Sequence, residues 1–472
     1  MRKASWQRLG ILLVPACFAC GEQAPETETV SAALGSDAIE TIHLGAIVDA
    51  TGSTTTPLYG NAISLAVDQM NQALASHGRN HVRFDVSFGD DKNNTPALAQ
   101  SETLRLLNTA GVVAMVSDSS GDTVGINKFN YDPASPAPRK FPITCFQCSS
   151  GFINNPNVVE VDPLTQAAER DVDNWLYRIF YNANFEAAVL DRVVLEGGTD
   201  RNGDGTFKMA IYADGGHLSL ANALGPTMAQ LYGGSFTTEL VVYSGNPANR
   251  AAEWARVVDG FNETTHTNDG IPDVVILAQL PPNVVSAVTS YRAAGYTLPV
   301  VSNNSFRRNF ILPQIGNLAD GLEGSSVALA NDGPSGQAFV SAFTAAFGHG
   351  PEITSSGAYD SAMTLMLAAL KARRSIKDND VPVGPADIRA ALSTINDPDG
   401  TVIRPTVSDL ARAADLIHHR QPINYQGAYD NVDWNAVGDI FPRMVHWKVQ
   451  NGQFVEIESF TCDPAHPLCP PN

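Results

Sequence analysis

The sequence predicts an α/β protein built on parallel sheets with helices on both faces. Three observations carry that prediction. Short apolar strand-like runs alternate with segments of helical period along most of the chain. The length of 472 residues, at roughly 100–200 residues per domain, gives two or three compact units. Hydrophobic residues make up 44% and charged residues only 17%, as expected of a large packed core under a mostly neutral polar surface.

The chain opens with Arg2, Lys3 and Arg8, followed by the apolar run 9–19 (LGILLVPACFA). That run is too short for a ~30 Å hydrocarbon core, which takes about 20 residues. It suits the hydrophobic part of an export signal. Small residues and cysteine end it, so residues 1–20 resemble a bacterial lipoprotein signal, with Cys20 or Cys17 bearing the lipid. An ordinary secretory signal cut nearby is the plain alternative. Residues 21–40 are acidic, small and polar, and read as a flexible tether. The expected mature protein is exported and touches the membrane through the lipid anchor only.

Thr41–Ala50 is a short buried strand, and Tyr59–Ser76 a helix with Ile63, Ala66, Val67, Met70 and Leu74 on one face. The alternation of Val82, Phe84, Val86 and Phe88 makes a strand ending at Gly89-Asp90-Asp91. A helix over Pro96–Ala110 and strands over Val112–Val116 and Phe141–Phe146 follow. Further strands are Lys208–Asp214, Phe236–Tyr243, Asp273–Leu280 and Leu298–Asn304, separated by helices near Leu218–Leu231, Ala251–Phe261 and Asn283–Ala294. The middle of Ser355–Lys377 (AMTLMLAAL) is apolar on most sides and predicts a deeply buried helix. Asn451-Gly452 between Met444–Val449 and Phe454–Ile457 predicts a two-residue hairpin.

Ligands of open parallel sheets sit beyond the carboxyl ends of the strands. The polar residues there are Thr51-Gly52-Ser53, Ser117 to Gly121, and Gln147 to Gly151. Two Ser-Ser-Gly turns offer hydroxyls and free N–H groups to an anion, or simply cap helices.

These segments together resemble the type I periplasmic solute-binding proteins, in the branch that binds leucine, isoleucine and valine. The resemblance rests on LGAIVDATGSTTTPLYGNAISLAVDQMN, FGDDKNNTPALAQSETLRLL, GVVAMVSDSSG, KMAIYADGGHLSLANAL, PDVVILAQLPPNVVSAVTSYRAAG, AYDSAMTLMLAAL and DIFPRMVHWKVQNGQFVEI, in that order. It implies two doubly wound parallel-sheet lobes joined by three hinge crossings: 41–183 plus 328–428, and 184–327 plus 429–472. A ligand in the cleft closes the lobes, and an ABC transporter permease reads the closed form. The matching ligand residues here are Ser119, Ser120, Ser149 and Ser150, with His217 covering the ligand and Tyr59 as an apolar wall. Asn304 falls where the family usually has an acid that pairs with an ammonium. That departure points to a neutral amide or a carboxylic acid rather than a free amino acid as ligand; the alternative is that Asp118, Asp122 or Asp214 supplies the charge. Residues 126–140 and 400–424 exceed the family pattern; the second carries an extra helical stretch, Val407–Arg420.

Other chemistry is weaker. A net charge of −19 repels phosphate backbones and argues against nucleic acid as partner. Cys145/Cys148 have redox spacing, but in an oxidising envelope a structural disulfide is the plainer reading; Cys462/Cys469 read as a second. Asp200, Asn202 and Asp204, with Gly205, fit the first half of a calcium loop, but Ile211 stands where the bidentate glutamate belongs. No cofactor and no catalysis are expected. The rival readings are a sensing domain that signals to a membrane receptor and an envelope thiol oxidoreductase.

Overall fold

A computed structural model describes residues 39–461, apart from 52–57, 77, 79–80, 93–94, 133–138, 151–159, 162–167, 170–174, 202, 263–266, 269, 331, 376–380 and 436–437. Cys17, Cys20, Asn202, Cys462 and Cys469 lie outside the described residues. So do the signal and almost all of the tether.

Two sheets organise the chain. In the first, Glu40–Val48 lies between Val82–Asp90 and Ala114–Ser117, and Ile143–Cys145 and Leu176–Arg178 extend it, all parallel. Numbered by sequence within the sheet, the order is 2-1-3-4-5. The second sheet repeats that order with Phe207–Ala213, Phe236–Val242, Val274–Ala278, Val300–Ser302 and Glu323–Val327. The hairpin Met444–Gln450/Gln453–Phe460 then adds antiparallel to Glu323–Val327. Asn451 and Gly452 have φ of 53° and 70°, the left-handed pair that the tight turn demands. The chain passes between the sheets three times: between Arg178 and Phe207, after Val327, and before Met444.

The helix Leu58–Ser76 packs against the long helix Ser355–Ser375, with Ile63, Ala66 and Met70 fully buried against Met363, Leu367 and their neighbours. Residues 355–370 of the long helix are all buried, as its lack of a polar face predicts. Truncating one such side chain to alanine costs about 2–5 kcal/mol.

Three local features go beyond the sequence reading. Within the long segment 126–140, residues 126–131 are the end of a helix, Ser120–Tyr131. Its sequence carries no apolar stripe because it buries polar groups, among them Asp122, Thr123 and Asn127. A fifth strand, Leu176–Arg178, went unpredicted because it is three residues long and ends in arginine. Arg178 is fully buried, paired with Asp439 at 3.1 Å. The extra stretch after residue 400 is a strand–helix–strand unit. Thr401–Ile403 and Ile423–Tyr425 pair in parallel around the helix Val407–His418. That helix lays Leu410, Ala414 and Ile417 into the first lobe's core beside Leu58–Ser76, so it covers the core. Among the described residues, no helix is long and apolar enough to cross a membrane.

Candidate functional site

The carboxyl ends of both parallel sheets meet at a polar boundary between the lobes. Arg308, six residues past the strand Val300–Ser302, reaches across it. Its Nη1 donates to Tyr59 Oη at 3.2 Å and to the Ile353 carbonyl at 3.3 Å, and its Nη2 to Gln147 Oε1 at 3.3 Å. Gln147 is held in turn by Thr354 Oγ1 at 3.0 Å. Thr354 is a β-branched residue at φ 70°, a strained backbone of the kind that collects at binding sites. Tyr59 packs edge-on against Phe146, with ring centroids 5.2 Å apart. Arg308 is 5% exposed, all its bonds are long and go to neutral acceptors, and no described carboxylate lies within 4 Å of it. A buried guanidinium left this way is short of the anionic partner that makes its strongest bonds.

Around it stand groups that tune the charge. His217 Nδ1 lies 3.0 Å from Asp214 Oδ1, and its Nε2 lies 3.2 Å from Ser305 Oγ. Burial alone lowers the imidazole pKa, but the Asp214 carboxylate overrides it and holds the value above 6.5. Asp214 moves the other way: burial pushes it up, His217 and its other donors outweigh that, and it ends below 3.8. Glu186 is buried, accepts from Asn304 N–H at 2.8 Å, and bonds the Tyr181 hydroxyl. Burial raises its pKa despite those donors and the nearby His217 and Arg308.

Residues 265–415 match a family model described as periplasmic binding protein. The fold also matches solved structures over nearly their whole length. A leucine binding protein LivK from Thermotoga maritima has a TM-score of 0.62 at 15% identity, covering 89% of this chain and 98% of that one. A solute binding protein from R. palustris in complex with 4-hydroxybenzoate gives 0.60 at 16%, covering 89% and 97%. The branched-chain amino acid substrate binding protein LivJ from Streptococcus pneumoniae, in complex with isoleucine, gives 0.59 at 16%, covering 90% and 99%. No curated protein matches this chain. The chain has the type I periplasmic binding protein fold.

In a type I fold the cleft lies where Arg308 crosses, and the sequence-derived residues distribute around it unequally. Tyr59 is there, bonded to Arg308. His217 is there through Ser305, three residues before Arg308. Asn304 is there too, but it meets Glu186 through its backbone N–H, while its side-chain Oδ1 is buried without a partner. The two Ser-Ser turns come together, since Ser150 N–H donates to Ser120 Oγ at 3.2 Å. Ser119 Oγ accepts from Asp122 N–H at 3.2 Å and caps the helix Ser120–Tyr131, the plainer role weighed for it. Ser149 contributes its carbonyl, which accepts from Ala183 N–H at 2.5 Å. A pocket of about 430 Å³ opens beside the Arg308–Ile353 contact, walled by Arg307, Asn309, Glu352, Ile353 and Phe454. None of the seven sequence-derived ligand residues lines it.

Sequence reasoning missed Arg308 and Glu186. Glu186 was detectable as a lone acid in the apolar run 183–190. It also changes the inference drawn from Asn304, because an acid does stand beside that position. Two other assignments resolve as structure. Cys145 and Cys148 are joined by a disulfide and fully buried, with Thr123 Oγ1 2.8 Å from Cys148 Sγ, so no thiol substrate reaches them. In the loop at Asp200, Asp200 Oδ2 accepts from Gly205 N–H and Asp204 Oδ2 holds Lys208 Nζ at 2.5 Å. A lysine ammonium thus occupies one of the oxygens a calcium ion would need.

Proposed function

We propose that this chain is an extracytoplasmic solute-binding protein that closes on a small carboxylate and presents it to the permease of an ABC transporter. The observation that carries the reading is Arg308, a buried guanidinium at the interlobe boundary whose hydrogen bonds, among the described residues, go to neutral partners. A ligand carboxylate fits its planar fork with two charge-assisted hydrogen bonds. The fold, the family match over 265–415, and neighbours bound to isoleucine or 4-hydroxybenzoate support the same class. Glu186 and Asn304 Oδ1 supply a second polar pole, suited to an ammonium or a phenolic hydroxyl. The lobes of this reading are 41–183 plus 328–428 and 184–327 plus 429–472, with the lipid on Cys20 or Cys17 as tether.

A panel of L-leucine, L-isoleucine, benzoate and 4-hydroxybenzoate, followed by thermal unfolding, tests it. At least one carboxylate raises the unfolding temperature by mass action, and the matching amide does not. No shift from any carboxylate, or equal shifts from acid and amide, overturns the reading.

A further inference from the structure

The two sheets share one strand order, and so each has one switch point, between its first and third strands, where the connections diverge and a crevice opens. The second lobe fills its crevice with its own donors. Asp214, after the first strand there, accepts from Gly216 N–H, His217, Leu280 N–H and Asn283 Nδ2, at 2.5–3.1 Å. The first lobe does the opposite. Asp49 follows its first strand, Asp91 its second and Asp118 its third, and Asp122 stands in the helix that starts next to Asp118. Asp49 N–H donates to Asp118 Oδ2 at 2.8 Å, and Thr95 N–H to Asp91 Oδ2 at 3.1 Å. Beyond those bonds, Asp91 Oδ1, Asp118 Oδ1 and both oxygens of Asp122 are buried with no donor. The Asp122 side chain is fully buried and aimed at the other two.

We propose that this crevice is a calcium site, held by Asp91, Asp118 and Asp122 with Asp49 at its side. One oxygen from each of Asp91, Asp118 and Asp122 lies within 4.8 Å of the others. Oxygens on opposite sides of a calcium ion, at about 2.4 Å each, span the same distance. Buried carboxylates without donors stay ionised only beside a cation and otherwise keep protons between them; Asp49 joins Asp90 and Asp91 in a second, overlapping triad. The charge and oxygen chemistry suit a hard divalent ion and exclude a thiophilic one. The ion would tie the ends of three strands to one helix start, stiffening the lobe that carries Ser120 and Ser150. It is independent of which solute the cleft takes.

The test compares thermal unfolding of the full chain in EDTA and in about 5 mM calcium chloride, above the ~10⁻⁴–10⁻³ M range of extracellular calcium modules. Calcium raises the unfolding temperature by about 3 °C or more. Asp122→Asn abolishes the rise, and Asp204→Asn, in the exposed loop at 200–205, leaves it intact. No rise with calcium overturns the proposal, as does a rise that survives Asp122→Asn or disappears in Asp204→Asn. Should Asp122→Asn fail to fold, terbium luminescence decides: wild-type emission must be displaced by calcium and be lost in Asp91→Asn. Emission retained in that variant, or not displaced, is equally fatal.

Discussion

Replacing Arg308 with methionine separates a ligand-binding arginine from a structural one, because the two roles predict opposite signs. The guanidinium is nine-tenths buried and makes three bonds of 3.2–3.3 Å to neutral acceptors. Hydrogen bonds to charged groups contribute about 1.5–3 kcal/mol each at good geometry, and these are long. Against them stands a desolvation cost of several kcal/mol for a buried ion. Methionine keeps most of the volume and removes that cost. Ligand-free Arg308→Met is therefore expected to unfold at the wild-type temperature or above it. Ligand binding moves the other way. A carboxylate gripped by two charge-assisted bonds loses roughly 3–5 kcal/mol, which weakens the dissociation constant by roughly 150- to 5,000-fold. Calorimetric titration with the carboxylate identified by the panel, beside thermal unfolding without ligand, reads both numbers. Affinity kept within threefold refutes the assignment. So does a variant whose ligand-free stability falls in step with its affinity, since that marks Arg308 as a strut between Tyr59, Gln147 and Ile353.

Further outcomes concern pH. The His217 pKa is raised on folding, so its contribution is complete below pH 6.5 and is lost as pH rises through the higher folded value. The depressed Asp214 contributes fully above pH 3.8 and loses its part as pH falls through its lower folded value. His217→Gln should accordingly flatten the unfolding temperature profile above pH 6.5, and a profile unchanged there rejects the ion pair. Asp360 behaves in reverse. Burial pushes its pKa up to about 7, against the donors Tyr425 Oη, Ala428 N–H and Tyr429 N–H. The folded state thus prefers the proton, and stability declines by up to roughly 4 kcal/mol as pH rises from 3.8 to 7. Asp360→Asn turns an N–H₂ toward a backbone donor and costs about 1–3 kcal/mol. Its deficit should be largest near pH 5 and shrink by pH 8, and a constant deficit across that range contradicts the raised pKa.

The parts of the fold visible in the sequence are those set by local pattern. The strands Val82–Asp90 and Phe207–Ala213, the buried helix at 355–375 and the Asn451-Gly452 hairpin all announce themselves through period or turn chemistry. What stayed hidden depends on partners far along the chain. Arg178 looks like a loop residue until Asp439 is beside it. Arg308 meets Gln147 and Tyr59 across 161 and 249 residues. Glu186 meets Asn304 across 118. The helix Ser120–Tyr131 escaped because a helix that buries aspartate and asparagine has no apolar period to read. The candidate ligand turns were placed correctly at strand ends by topology, but which of their hydroxyls point into the cleft is a matter of capping and packing. Ser119 is consumed as a cap, and no composition argument separates it from Ser120.

The two lobes show how one architecture divides into different chemistry. Both have the order 2-1-3-4-5, and both place an aspartate after the first strand. In the second lobe, Gly216, His217 and Asn283 surround that aspartate with donors, and its carboxylate favours the charged form of His217. In the first lobe, acids stand after the second and third strands as well, and the local sequence supplies Asp122 where a donor would have been needed. The difference lies in a few residues just past strand ends, where the sheet constrains position but not side-chain type. One crevice therefore supplies its own donors, while its counterpart leaves the place that the proposed cation takes. If calcium binds as argued, Ser120 and Ser150 sit on a lobe whose rigidity depends on the ion, and chelation should weaken solute binding through that lobe while leaving the Asp214–His217 pair of the other untouched.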